Sequence, residues 1–325
     1  MAYPKLPDVL PPPYSPEYVA LAREMAVKTG AAKDAPRTYF IAERRKAERK
    51  YQRLINNLLK KAEAEVKKLA NPTPDAIIRV LTQIASSPTF QHMAEEAARQ
   101  TVTMLAVGMK RSWRAAAAAS SQGRLIYQAL MKETTGTALG QSISAIVAEN
   151  SKLIVTCPHD MALRFSKLAR QREFEGVRPD QITREIMQEA KHLREYEARR
   201  IARTESAKAS TALVQSRAEA LHLDFYIWRT AHDSRVRAQH EKMDGVICRW
   251  SDPPDPESMA GERSYGRYHP GGIFNCRCIA LPVIALEDIK FPAKVHVSGH
   301  IETIGSLNKF KERFSISTGK EDSRR

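Results

Sequence analysis

The sequence predicts an α+β protein, with a mostly helical N-terminal half followed by a long helix and a small loop-rich α+β domain. Apolar residues recur at three- and four-residue steps over residues 38–70, which is typical of an amphipathic helix. Strand-like segments appear only after residue 223, among turn-forming Gly and Pro. This change of period therefore separates a helical part from a mixed part.

Composition places the 325-residue chain among globular proteins, since 42% of its residues are hydrophobic and 27% are charged. It contains no apolar run of about 18 residues, so no transmembrane helix is predicted. The proline-rich start lacks the basic and apolar regions of a signal peptide. We therefore expect no membrane partner.

The charge balance favours an anionic partner, because 52 Lys and Arg face 37 Asp and Glu and give a net charge of +15. DNA is the first candidate, bound through its phosphates and without sequence preference, since no basic platform with interleaved aromatic residues is visible. The alternative is that the positive charge is spread over solvated helix faces and complements an acidic neighbouring protein. The basic residues expected near DNA are Arg44, Arg45, Lys46, Arg49, Lys50, Arg53, Lys60 and Lys61.

Five segments are predicted along the chain. Residues 1–35 form an extended Pro-rich arm, because three successive prolines disfavour a helix. Residues 36–158 form a helical domain, 159–223 are connecting helices, 224–287 are the α+β domain, and 288–325 are a C-terminal tail that we expect to be mobile. The arm could dock on a neighbouring subunit through Tyr14, Tyr18 and Leu21, or it could be a flexible leader.

The boundaries of the elements follow from breakers and caps. Helices are predicted at 38–70, 75–86, 89–120, 124–149, 159–175 and 180–222, with Asp75 capping the second helix and Cys157-Pro158 ending a short apolar stretch. Strands are predicted at 225–230, 246–250 and 279–286, with a long loop over 251–272.

Four metal-capable side chains, His240, His269, Cys276 and Cys278, lie within residues 240–278. A structural zinc ion prefers four nitrogen and sulfur ligands, and this small domain is short of aliphatic residues. We therefore predict a zinc site. Buried structural cysteines are the main alternative, because Cys-x-Cys crowds two ligands on the backbone, and a disulfide from Cys248 to Cys276 or Cys278 is another.

Several motifs occur in a fixed order across the last third of the chain. They are Arg203-Thr204-Glu205, Trp228, Asp233 with Arg237 and His240, Asp244-Gly245, and Asn275-Cys276-Arg277-Cys278. This order resembles the C-terminal domain of the phage Mu F-like head morphogenesis family, over roughly residues 195–285. Two departures are Arg237, where many similar sequences carry a cysteine, and the four residues 271–274 inserted before Asn275.

The resemblance implies a minor head protein of a tailed bacteriophage, which binds during capsid assembly and is not an enzyme. Its expected partners are the portal protein, the major capsid protein or both, together with packaged double-stranded DNA, and it could form a homo-oligomer. Its expected location is the head interior or neck of the virion, after assembly in the host cytoplasm.

Structural roles are predicted for the remaining motif residues. Arg203 and Glu205 would hydrogen-bond between the long helix and the sheet, and Gly245 would take the positive φ of a turn after Asp244. Arg277 would clamp Asp233 or Asp244 through its planar fork, unless it is a surface arginine. A rival function is a zinc-braced nuclease acting on phage or host DNA, with His232, Asp233 and His240 at its centre.

Overall fold

The computed structural model describes residues 35–70, 72–121, 123–132 and 138–316. The predicted arm lies almost entirely outside these residues, as do the last nine residues of the predicted tail. Within the described part, the mostly helical N-terminal half and the small mixed sheet near the C-terminus confirm the predicted α+β class.

The predicted single helix over residues 124–149 was wrong, because one helix ends at Lys132 and another runs over Ala138–Phe174. The described residues of the helical half form six helices. They are α1 (Ala35–Lys67), α2 (Pro74–Ser86), α3 (Pro88–Ala119), α4 (Gly123–Lys132), α5 (Ala138–Phe174) and α6 (Pro179–Ala220). The cap of α2 is Thr73, whose side chain accepts a hydrogen bond from the Ala76 N–H, while Asp75 lies in the first turn. The prediction that Asp75 is the cap was therefore wrong by two residues.

Helix α5 runs through Pro158, where the sequence predicted a break. A proline inside a helix loses one backbone hydrogen bond, which costs about 3 kcal/mol. Ile154 and Cys157 are almost completely buried on the same helix, next to the proline. Burial of these side chains offsets the lost hydrogen bond, and the predicted boundary between residues 158 and 159 falls inside one helix.

The chain divides into two compact units, which we call the helical unit and the sheet unit. The helical unit comprises Arg45–Leu105 and Ile143–Ser206. Its core contains the predicted apolar stripe of α1, and Tyr51, Ile55 and Leu59 are each at most 2% exposed. Arg194 of α6 is buried there as well, where it donates to Asn56 Oδ1 at 3.0 Å and pairs with Glu63.

The sheet unit comprises the described parts of Met1–Arg44, Ala106–Ser142 and Ala207–Arg325. Its strands are β1 (Phe225–Arg229), β2 (Ile247–Arg249), β3 (Ile279–Pro282), β4 (Ala293–Val297) and β5 (His300–Ile304). In the described residues they form one sheet in the order β3-β1-β2-β4-β5. Only the β2–β4 pair among them is parallel, with Ile247 opposite Val295.

Short helices lie between the strands and after them. They are α7 (Ala238–Lys242), α8 (Pro256–Met259), a 3-10 helix (Leu286–Asp288) and α9 (Leu307–Arg313). The expected mobile tail over 288–325 was wrong for residues 293–313, because these residues build β4, β5 and α9. Phe310 of α9 is fully buried against Phe225 of β1, with 5.1 Å between the ring centroids. The predicted domain boundary at residue 287 therefore cuts through the sheet.

Among the residues that the structure describes, no helix is both long and apolar enough to cross a lipid bilayer.

The burial of Phe310 can be tested by truncation. Phe310→Ala should lower the free energy of unfolding of the sheet unit by about 3 to 5 kcal/mol, because it leaves a cavity beneath β1. Tryptophan fluorescence in a urea titration reports on this unit, since Trp113, Trp228 and Trp250 all lie in it. The control Ile301→Ala removes a side chain that is 37% exposed and should cost much less. Equal effects of the two changes would contradict the observed packing.

Candidate metal centre

Three of the four predicted metal ligands, His240, Cys276 and Cys278, lie together in the sheet unit. Their ligand atoms are all within 4.8 Å of one another. His240 Nδ1 is 3.6 Å from the Sγ of Cys276 and 3.4 Å from the Sγ of Cys278. Each of the three residues is at most 2% exposed. The arrangement presents one imidazole nitrogen and two sulfurs to a common point.

The position of His240 is fixed by its neighbours. Helix α7 carries it, and its ring meets the indole of Trp228 edge to face at 5.4 Å. Its Nε2 lies 2.9 Å from the hydroxyl of Tyr268, which donates to Glu257 Oε2 at 2.5 Å. Glu257 lies in α8, and Asp255 caps that helix by accepting from the Ser258 N–H.

Backbone N–H groups surround the sulfur of Cys276. The N–H of Gly271 points at it from 3.3 Å and that of Cys278 from 3.4 Å. Gly271 has a φ of +88°, and a Cβ at this position would lie 2.9 Å from the carbonyl oxygen of Ala207 in α6. Only glycine fits this close approach without strain, so Gly271 holds the loop against α6.

The two thiols of the cluster differ in acidity. The hydrogen bond from Cys278 lowers the pKa of Cys276, with His240 adding to the effect against the opposing effect of burial. The same hydrogen bond, together with burial, raises the pKa of Cys278. The pKa of Cys276 is therefore held below its usual range and that of Cys278 above it.

The fourth predicted ligand, His269, lies elsewhere. Its Nδ1 is 3.0 Å from the hydroxyl of Tyr226, and burial lowers its pKa to about 4. Cys248 does not complete the set either, because its thiol lies 3.9 Å from the carbonyl oxygen of Val246 and burial raises its pKa to about 12. All four cysteines are free thiols in the structure, so the alternative of a disulfide from Cys248 is not supported.

Arg44 was predicted to lie near DNA, but its side chain is only 5% exposed. Its Nη1 donates to the carbonyl oxygen of Cys278 at 2.6 Å, and its Nη2 donates to that of Arg277 at 2.8 Å. Arg44 is therefore part of the support of the cluster. The other predicted basic residues of α1 remain exposed, except Lys50, which is half-buried.

The predicted clamp of Arg277 is present, and its partner is Asp233. Asp244 instead accepts hydrogen bonds from the N–H of Thr230 at 2.8 Å and pairs with His232 at 2.9 Å. Gly245 follows with a φ of +83°, as the turn prediction requires.

The other motif residues hold the chain together locally. Arg237 lies 4.7 Å over the ring of Phe274 and donates to its carbonyl oxygen, while Asn275 adopts a φ of +54°. Arg203 pairs with Glu48 of α1 within the helical unit. The predicted hydrogen bond from Arg203 to the sheet was therefore wrong, because an acidic partner on a neighbouring helix is within reach. Glu205 is buried in α6.

Three supporting residues were missed by the sequence analysis, namely Arg44, Glu257 and Tyr268. Arg44 did carry a signal, because its spacing from Phe40, Ala47 and Tyr51 places it on the buried stripe of α1. Glu257 and Tyr268 lie in the long loop after β2, where no period indicates which side chain faces inward.

Asp233 provides a pH-dependent test of the clamp. Burial alone would raise its pKa, but the hydrogen bonds from Arg277 and from the Arg235 N–H lower it overall. A lowered pKa in the folded state stabilises the protein above the unfolded pKa of about 4, and this stability is lost as the pH falls. Asp233→Asn should therefore cost about 1 kcal/mol at pH 7 and almost nothing at pH 2 to 3.

The measurement is urea denaturation followed by tryptophan fluorescence at several pH values. The matched control is Asp224→Asn in the same unit, because Asp224 faces Arg249 at 3.5 Å and its side chain is 53% exposed. An exposed ion pair contributes little, so this change should cost less than about 0.5 kcal/mol at every pH. A cost of Asp233→Asn that does not vary with pH would exclude the clamp as a charge interaction.

The region that contains this site is similar to a known family. Residues 167–281 match the family model described as Phage Mu protein F like protein. An uncharacterised protein of Haemophilus influenzae (strain ATCC 51907 / DSM 11121 / KW20 / Rd) is 30% identical over 144 residues, which are 44% of this chain and 30% of that protein. The chain thus spans less than a third of that relative, and no solved structure matches it. The resemblance predicted from the ordered motifs is confirmed for the C-terminal region, where residues 167–281 match the model of this family.

Proposed function

We propose that this chain acts in the assembly of the head of a tailed bacteriophage, as a minor head protein attached to the portal or to the inner capsid surface. The observation that carries this proposal is the match of residues 167–281 to the Phage Mu protein F like family. The proposed work is binding, carried out in the host cytoplasm and then within the virion.

The exposed basic face of α1 supports a position close to packaged DNA. Lys46, Arg49, Arg53 and Lys60 follow one another at helical spacing along about 21 Å of the helix, and all four are exposed. Among the residues that the structure describes, none of the four has a carboxylate within ion-pair distance. Such a row of unpaired cations gains most from a polyanion, because it releases the counterions condensed on the phosphates.

The particle itself provides the test of the head-assembly proposal. The predicted arm carries apolar anchors at Tyr14, Tyr18 and Leu21 within a proline-rich segment, whose restricted backbone lowers the cost of ordering on a partner. Full-length chain should therefore be found in purified particles by mass spectrometry, and a chain lacking residues 1–33 should be folded but depleted from them.

Cross-linking in the same particles identifies the partner, which we expect to be the portal or the major capsid protein. Absence of the full-length chain from particles would refute a head role. Equal incorporation of the two chains would instead retain the head role and remove the arm as the attachment element.

The basic face is tested by the salt dependence of DNA binding. Neutralising Lys46, Arg49, Arg53 and Lys60 to Gln should reduce the slope of log K against log salt by about 3 to 4, because each phosphate contact contributes about 0.9. Fluorescence anisotropy with two unrelated duplexes should give similar slopes. The matched control neutralises Lys167, Arg170, Lys191 and Arg199, which are exposed residues of α5 and α6 in the same unit.

If both four-residue variants reduce the slope of log K against log salt equally, DNA binding depends on the total charge of the protein and not on α1. Absence of binding at low salt would assign the charge to an acidic protein partner.

The same samples, incubated with divalent cations, test the zinc-braced nuclease. His240 is 1% exposed and faces the two cysteines, which keeps it away from a duplex. Cleavage that depends on His232, which is exposed and paired with Asp244, would favour the nuclease.

A further inference from the structure

We infer that His240, Cys276 and Cys278 form a zinc site with three protein ligands, in which Tyr268 and Glu257 are positioning residues. In a tetrahedral zinc site, Zn–S bonds of about 2.3 Å and Zn–N bonds of about 2.0 Å place nitrogen and sulfur about 3.5 Å apart. The two distances from His240 Nδ1 to the sulfurs are 3.6 and 3.4 Å. One zinc ion can therefore contact all three atoms with small adjustments.

The hydrogen bonds around His240 engage its Nε2, so that its Nδ1 is available to a metal. Tyr268 has a single hydroxyl proton, and it donates this proton to Glu257 at 2.5 Å. The Tyr268 oxygen must therefore accept from His240 Nε2, which lies 2.9 Å away. A neutral His240 then carries its proton on Nε2 and points the lone pair of Nδ1 at the sulfurs. This is the carboxylate-supported histidine that metal sites commonly use.

A glutamate is unusual at a buried position such as that of Glu257 unless it supports a metal-binding histidine. It is only 2% exposed, and its Oε1 has no hydrogen-bond partner among the described groups. The Oε1 lies 3.6 Å from His240 Nε2, while the Oε2 accepts the hydrogen bond from Tyr268. Burial of a carboxylate is costly without compensation, and a metal-bound imidazole would provide it through Tyr268, because its polarised N–H strengthens the Tyr268 hydroxyl as a donor to Glu257.

The backbone prepares the two sulfurs for a metal. Cys276 and Cys278 are separated by one residue, so their side chains lie on one side of the segment that enters β3, while Arg277 points to Asp233. The N–H groups of Gly271 and Cys278 already point at the Cys276 sulfur, as is common for metal-bound thiolates. Arg44 holds the carbonyl oxygens of residues 277 and 278.

The ligand chemistry selects the metal. Two sulfurs and one imidazole favour zinc over magnesium or calcium, which prefer oxygen ligands. Many similar sequences carry a cysteine three residues before this histidine, and it could serve as a fourth ligand. In this chain the residue at that position is Arg237, whose side chain lies over Phe274. We therefore assign the fourth position to water, which gives two sulfurs, one nitrogen and one oxygen around the ion.

The experiment uses the full-length chain, purified under reducing conditions and incubated with zinc before desalting. Elemental analysis should give about one zinc per chain. X-ray absorption on this unaltered protein should show two sulfur and two lighter ligands, and this measurement does not depend on whether a variant folds. A metal-free protein, or a zinc site with no sulfur ligands, would overturn the assignment.

Variants then identify the ligands. Cys276→Ser and Cys278→Ser should each lose the zinc, whereas Cys248→Ser and His269→Gln should retain it. The last two are matched controls, because Cys248 is an equally buried thiol and His269 is a histidine of the same loop region outside the cluster. Loss of zinc from either control would refute the three-residue site.

The positioning role has its own readout. Tyr268→Phe and Glu257→Gln should bind the same single equivalent with a zinc Kd that is 10- to 100-fold weaker, while the circular dichroism spectrum is unchanged. Cobalt substituted for zinc should retain its sulfur charge-transfer bands in these variants and lose them in Cys276→Ser. An unchanged Kd in both Tyr268→Phe and Glu257→Gln would show that the two residues only fill space.

Discussion

The pairing of the Arg44 guanidinium with two backbone carbonyls is the constraint on which the candidate site depends. A buried guanidinium is costly unless its N–H groups find acceptors, and here the carbonyl oxygens of Arg277 and Cys278 supply them. The pairing fixes the backbone immediately before β3. It therefore determines where the two flanking thiols lie and leaves the Arg277 side chain free to bind Asp233. The buried Arg44 side chain thus links α1 to the segment that enters β3.

Periodicity predicted α1 well, because the stability of this helix comes mainly from burying one apolar stripe, and the stripe is visible in the sequence. The same pattern contains Arg44, but the residue type argued for solvent, and residue type is only a statistical guide to burial. Pro158 shows the opposite error. There a local rule predicted a break, and packing of Ile154 and Cys157 overrode it.

The mixed part was predicted less completely, since its contacts are distant in the sequence. The ordered motifs identified Asp233, Asp244 and the two cysteines of the cluster. They could not show that His269 turns to Tyr226, or that Glu257 and Tyr268 face His240 across a long loop. Likewise, β4 joins the sheet by parallel pairing with β2, which is about fifty residues earlier, and no local signal specifies that partner.

The family match and the structural unit do not end at the same residue, and the difference is informative. The match begins within α5, contains all of α6, and ends at Leu281 in β3. It thus contains β1, β2 and the whole His240–Cys278 cluster, but it stops before β4 and β5. In this chain β2 would be an edge strand without β4, and Phe225 would lose the cover of Phe310. The segment after residue 281 therefore completes the sheet that supports the cluster, so the matched region alone is not a complete folding unit here.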